Sequence, residues 1–172
     1  TTDESKISRA FRERFSYIIP LKKYNEEEKV QIVIQTADKM GLTISDTAAA
    51  IVSERSRNNP RNIVQTLETL ELMNTTDKTK SISSEEALNA TKLRGLGEHG
   101  LTQRDIQVLK TLEEHGRVGA ATLSDIVGFN TVDNYYVWER FLIEENYVLP
   151  QSGGRILTEN GERILKGLNS EN

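Results

Sequence analysis

The chain has 172 residues, 36% hydrophobic and 28% charged, which suits an ordinary folded protein of one large or two small domains. It has no cysteine and only two histidines, His99 and His115, which excludes disulfides, thiol catalysis and a Cys/His zinc centre; it also has no long apolar run or charged-then-apolar leader, so a cytoplasmic location is expected. The net charge of −4 is uneven: residues 1–100 carry 15 Lys and Arg against 15 Asp and Glu, residues 101–172 carry 7 against 11, so nucleic-acid contact in the second half must come from a local patch.

A short helix is predicted around Ser8–Arg14, then a strand Phe15–Ile19 closed by Pro20. That strand has no evident sheet partner in this half, so the chain is expected to begin partway through a larger α/β domain. Val30, Val33, Ile34, Ala37 and Met40 repeat at helical spacing behind Glu26, Glu27 and Glu28, with Gly41 as the stop. Ser45 opens a helix through Ala48, Ile51 and Val52. Asn59 caps and Pro60 begins a helix striped with Ile63, Val64, Leu67 and Leu70 that runs to about Met73. The capping box Ser83-x-x-Glu86 starts a fourth helix that ends before Gly95. Asn74–Lys80 reads as a polar loop and Arg94–Gly100, rich in glycine, as a linker.

The second half begins with a capping box, Thr102-x-x-Asp105, ahead of Ile106, Leu109 and Leu112; Gly116 stops that helix. A short helix with Leu123, Ile126 and Val127 ends at Gly128. Thr131 then caps a third, running through Val137, Phe141 and Leu142 to about Glu145. Tyr147–Leu149 and Arg155–Leu157 flank a turn at Ser152–Gly154, and a last helix over Thr158–Leu168 turns Ile164, Leu165 and Leu168 to the core. Three helices followed by a hairpin predict a winged helix. Tyr135, Tyr136 and Trp138 have the chemistry to stack on bases, but helix packing is the expected role, and the acidic third helix is a poor candidate for a major groove.

Arg61 stands out because it lies in the first turn of its helix, where the partial positive charge of the helix end disfavours a cation by about 0.3 to 1 kcal/mol unless an anion is near. It is either a solvated surface arginine or a phosphate ligand. Arg55 and Arg57 fall near the end of the preceding helix, where capping explains them as well as function does. No Gly-x-x-x-x-Gly-Lys-Ser/Thr loop and no Gly-x-Ser-x-Gly elbow occurs, and the pairs Glu113-Glu114 and Glu144-Glu145 fall on faces expected to be solvated.

Thr1-Thr2 through Phe15, the motif Arg57-Asn58-Asn59-Pro60-Arg61, the turn Arg117-Val118-Gly119 and the strand Gly154-Arg155-Ile156-Leu157-Thr158 together resemble, in order and spacing, the C-terminal half of the RuvB family of AAA+ Holliday-junction branch-migration motors. The resemblance covers nearly the whole chain. It implies a mainly α fold, with residues 1–20 the remnant of an AAA+ base domain, 21–95 a four-helix AAA+ lid and 96–172 a winged helix with a small β-hairpin. By the same resemblance Thr2 is sensor 1, Arg14 the arginine finger, Arg61 sensor 2 and Arg155 a DNA contact of the wing. The implied cofactor is ATP, with Mg²⁺ held in a base domain not contained in this sequence, so the chain alone is not expected to hydrolyse ATP. The implied partners are DNA as four-way junction or duplex, further copies of the protein in a ring, and a junction-binding loader protein. The wing departs from the family pattern at Pro150 and Gly153, where the family carries arginines, which leaves Arg155 as the main basic residue of the hairpin. Two alternatives stay open: the lid and winged helix of another AAA+ protein of replication-initiator or clamp-loader type, and a non-enzymatic winged-helix module that binds protein.

Overall fold

The computed structural model describes residues 7–17, 19, 22–73 and 81–170. Its first half consists of α1 (Arg9–Arg12), α2 (Glu26–Lys39), α3 (Asp46–Glu54), α4 (Pro60–Met73) and α5 (Ser84–Leu93). A 3-10 turn, Glu98–Gly100, leads to α6 (Gln103–His115), α7 (Ala120–Ile126), α8 (Val132–Glu144), β1 (Val148–Gln151), β2 (Gly154–Leu157) and α9 (Glu159–Ser170). Among the described residues no helix is long and apolar enough to cross a membrane.

Side-chain caps place most helix starts. Asn25, Ser83 and Thr102 each form a reciprocal capping box with the residue three positions on, and Ser45 and Thr131 accept one backbone N–H each. Gly41, Gly116 and Gly128 follow their helices at φ near +70, a conformation that favours glycine.

In the lid, α2 to α5 enclose Val33, Ala37, Ala48, Val52, Ile63, Leu67, Leu70 and Ala87. A parallel bridge, Ile44 to Ile82, ties the loop before α3 to the approach to α5. The winged helix has a second core of Leu101, Val108, Leu109, Leu112, Leu123, Tyr135, Leu142, Val148 and Leu165. Strands β1 and β2 pair antiparallel, Val148 with Leu157 through Gln151 with Gly154, around Ser152 and Gly153, and Val118 joins Arg155 through a single antiparallel bridge.

Three sequence expectations change. The segment 15–19 forms no strand among its described residues: Phe15, Tyr17 and Ile19 are exposed, and Phe15 N–H turns back to the Arg12 carbonyl. Without a neighbouring strand there is no ladder to hold it extended. The first helix is shorter than expected, capped by Ser8 and ended at Arg12. Val137 of α8, expected on the apolar stripe, is 67% exposed, because Tyr135, Glu139 and Leu142 form the buried face instead.

Candidate functional site

The two cores meet at the turn between α3 and α4. Arg57 and Asn58 both take positive φ, 56° and 55°, a conformation that costs a side-chain-bearing residue about 1 to 2 kcal/mol and so needs fixed contacts to hold it. Those contacts come from the winged helix. Arg57 Nη1 donates to Asp105 Oδ2 at 2.5 Å and to the Gly100 carbonyl at 3.0 Å, Nη2 lies 3.4 Å from Asp105 Oδ1, and the guanidinium sits 3.9 Å above the Phe141 ring. Asp105 is fully buried and also accepts Thr102 N–H at 2.6 Å and Thr102 Oγ1–H at 2.5 Å, so one carboxylate caps α6 and anchors the lid. Asn58 extends the joint: its Oδ1 accepts from Lys29 Nζ at 2.7 Å and its Nδ2 donates to Glu145 Oε1 at 2.6 Å. Glu54, at the end of α3, takes the His99 backbone N–H and pairs with His99 Nδ1 at 3.1 Å.

Directly after this joint the chain enters α4. Asn59 Oδ1 accepts the Arg61 N–H at 3.0 Å, and Pro60 occupies the first helical position. The Arg61 side chain is exposed, forms no ion pair with a described residue, and has no acidic residue in the first turn beside it. It is therefore a cation at a helix N-terminus with an uncompensated charge, the arrangement that welcomes an anion. Arg14 lies just beyond α1, also exposed and without an ion pair to a described residue. Thr2 lies outside the described residues.

The wing treats Arg155 differently. Its Nε donates to Glu139 Oε2 at 2.8 Å and its Nη2 to Oε1 at 2.5 Å, with side-chain exposures of 15% and 4%. Its guanidinium also lies 5.1 Å from the Tyr136 ring centroid. The Glu139 hydrogen bond raises the guanidinium pKa, against a smaller opposing effect of burial. Arg155 thus clamps the hairpin to α8, its charge offset by Glu139 and only its remaining N–H groups left to meet a phosphate. Tyr135 is buried among Phe129 and Trp138 rather than displayed for stacking, and burial, then Glu139, raises its hydroxyl pKa above the ordinary range.

Sequence reasoning missed the joint. Arg57 looked like a helix-end cation, and Asp105 was legible only as a capping residue; the pair lies 48 positions apart in sequence. The available signal was Asp105 itself, whose capping role leaves acceptor capacity to be used when the carboxylate is buried.

Residues 98–166 match the RuvB C-terminal winged helix domain. Over 168 residues, 96% of this chain and 48% of the relative, the chain is 30% identical to the Holliday junction branch migration complex subunit RuvB of Fervidobacterium nodosum. The corresponding Thermotoga maritima subunit is 29% identical over 169 residues, covering 96% of this chain and 51% of the relative. A solved structure of the Thermotoga maritima RuvB Holliday junction branch migration motor superposes with a TM-score of 0.78 at 29% identity, covering 93% of this chain and 55% of that one. The chain spans about half the length of the curated relatives it matches. Since the match runs through both the helical bundle and the winged helix in the same order, the chain is similar in sequence and fold to the C-terminal half of RuvB subunits, a helical lid followed by a winged-helix domain.

Proposed function

We propose that this chain is the lid and winged-helix part of an ATP-driven motor that moves Holliday junctions, divided near residues 20 and 95 into base-domain remnant, lid and winged helix. Arg61 carries the reading: it is an exposed cation with no ion pair to a described residue, in the first turn of α4, one residue beyond a proline that follows the joint to the winged helix. That environment fits a polyphosphate, and ATP with Mg²⁺ supplies the free energy of the cycle when bound in the full-length protein. Arg61 would contact the β- and γ-phosphates as sensor 2, Thr2 would act as sensor 1, and Arg14 would reach the nucleotide of a neighbouring copy in a ring, where a finger supplied in trans is worth about 10³ to 10⁵ in rate. With less phosphate charge to hold it, Arg61 would be attracted more weakly and would let the lid rotate against the base domain. Because Arg57 fastens the same turn to Asp105 and Phe141, the winged helix travels with the lid. The wing, with Arg155 as the main basic residue of its hairpin, would then meet DNA, with a loader protein bringing the motor to the junction.

In the full-length protein containing this chain, Arg61→Ala is expected to reduce ATP-driven branch migration of a four-way junction at least tenfold, and Arg14→Ala to abolish hydrolysis in the assembled ring while sparing nucleotide binding. Full branch migration in the first variant removes the sensor assignment, and full ATPase activity in the second removes the finger.

A further inference from the structure

Resting on the reading of the wing as a DNA-facing element, we propose that Arg117, in the turn between α6 and α7, supplies the free positive charge of the wing and binds the phosphodiester backbone of DNA. The hairpin's own basic residue is committed: Arg155 spends its charge on buried Glu139. Arg117 is exposed, and its side chain reaches across to the wing loop. Its Nη1 donates to the Ser152 carbonyl at 3.3 Å and its Nη2 to Gln151 Oε1 at 2.8 Å. Both acceptors are neutral, so they hold the guanidinium in place without cancelling its charge. Two of its five N–H donors are engaged this way, leaving three for a phosphate, and no carboxylate of a described residue lies within ion-pair distance.

The fold makes room for this side chain. A Cβ on Gly154 would stand 2.9 Å from Arg117 Cγ and 2.7 Å from the Val118 carbonyl oxygen, so the close approach of the Arg117 stem to the hairpin depends on glycine at that position. The Val118–Arg155 bridge fixes the register of the turn against β2, with Val118 N–H to the Arg155 carbonyl at 3.1 Å and the reciprocal bond at 2.8 Å. Arg117 is thus held at the tip of the wing by the backbone, the Gln151 side chain and the absence of a side chain on Gly154. A preoriented arginine beside a turn is suited to grip a phosphate, and it adds affinity without sequence preference.

The test is fluorescence anisotropy of a labelled duplex and a labelled four-way junction titrated with this chain over a series of salt concentrations. Arg117→Ala is expected to weaken binding roughly three- to tenfold on both DNAs and to lower the slope of log K against log salt by about one, whereas Arg117→Lys retains most of that slope. Thermal unfolding of each variant, expected to match the unsubstituted chain, separates loss of contact from loss of fold. Unchanged affinity and slope in Arg117→Ala, with DNA binding intact in the unsubstituted chain, overturns the assignment of Arg117 alone. No binding of either DNA by the unsubstituted chain overturns it together with the DNA-facing wing.

Discussion

The turn before α4 and the tip of the wing are built alike. Each contains an arginine locked to a buried carboxylate and lying over an aromatic ring: Arg57 with Asp105 and Phe141, Arg155 with Glu139 and Tyr136. Each has an exposed arginine without an ion pair to a described residue, Arg61 in one and Arg117 in the other. Each has a glycine close to an arginine Cγ, Gly100 beside Arg57 and Gly154 beside Arg117. The difference lies in what the locked pair connects. Arg57 joins the lid to the winged helix, whereas Arg155 joins two elements of the winged helix. A locked arginine organises the backbone, and only then does its neighbour have a fixed position from which to meet an anion.

The largest expected effect comes from breaking the joint. Arg57→Ala leaves the fully buried Asp105 carboxylate without its cation, which costs about 3 to 5 kcal/mol for a buried pair. Denaturant unfolding followed by circular dichroism measures the loss. Hydrogen exchange of the described amides should show it on both sides, at Asn58 and at Thr102–Asp105. Exchange that rises only in the winged helix would remove the distinction between a joint and an internal clamp.

At the wing the same experiment should give a smaller and more local result. Glu139→Gln replaces a charge-assisted bidentate pair with a neutral contact, and Arg155 is partly hydrated, so about 1.5 to 3 kcal/mol is expected. Faster exchange should be confined to Val118 and the β1–β2 amides. Spread of the effect into α4 would show that the two arginine locks are coupled through α8, which carries both Glu139 and Phe141.

The difference between locked and free arginines also marks how far the sequence could be read. Caps and helical periodicity are local, so the starts of α3 to α6 and α8 were legible from Asn59-Pro60, Ser45, Thr131 and two capping boxes, and that of α2 from its apolar spacing behind Glu26–Glu28. Arg61 was legible because its conflict with the helix dipole is also local. Arg57 and Arg155 were not, since their meaning depends on carboxylates 48 and 16 positions away. Glu139 was legible only as one acid of a helix too acidic for a major groove, and its burial comes from the hairpin packed over it. The predicted strand at 15–19 failed for the same reason: a strand is defined by a partner, and the described residues supply none.

The two glycines separate backbone strain from crowding. Gly100→Ala places a side chain at φ +69 and sets its Cβ 3.0 Å from Arg57 Cγ, for an expected cost of about 1 to 2 kcal/mol. Gly154 has no positive φ, so Gly154→Ala acts by overpacking against the Val118 carbonyl and the Arg117 stem, at about 1 to 3 kcal/mol. Thermal unfolding measures both. The first variant should lose the Arg57–Asp105 restraint and the second the Val118–Arg155 bridge, each visible by hydrogen exchange. If Gly100→Ala leaves the joint protected, the arginine there is held less tightly than its geometry implies.

The last effect is absent at neutral pH and appears only in alkali, and it again distinguishes the two regions. Tyr147 lines the cleft beside Arg57 and His99, packs edge-on to Phe141, and has its hydroxyl pushed up to about 12 by burial and then by the charges of Glu145 and Glu54. Tyr135, beside the Glu139–Arg155 pair, is raised further. A tyrosine pKa raised in the folded state favours the protonated form, so its contribution to stability is complete below the ordinary value of about 10 and is lost as pH rises toward 12. Absorbance titration of tyrosinate should therefore show the Tyr147 ionisation near 12, accompanied by loosening of the joint, while the wing holds to higher pH. Tyr147→Phe should flatten the stability profile between pH 10 and 12 without changing it at neutral pH. An unchanged alkaline profile in that variant would mean that neither burial nor the charges lining the cleft shift Tyr147, and that the joint is held by Arg57 and Asp105 independently of the tyrosine beside them.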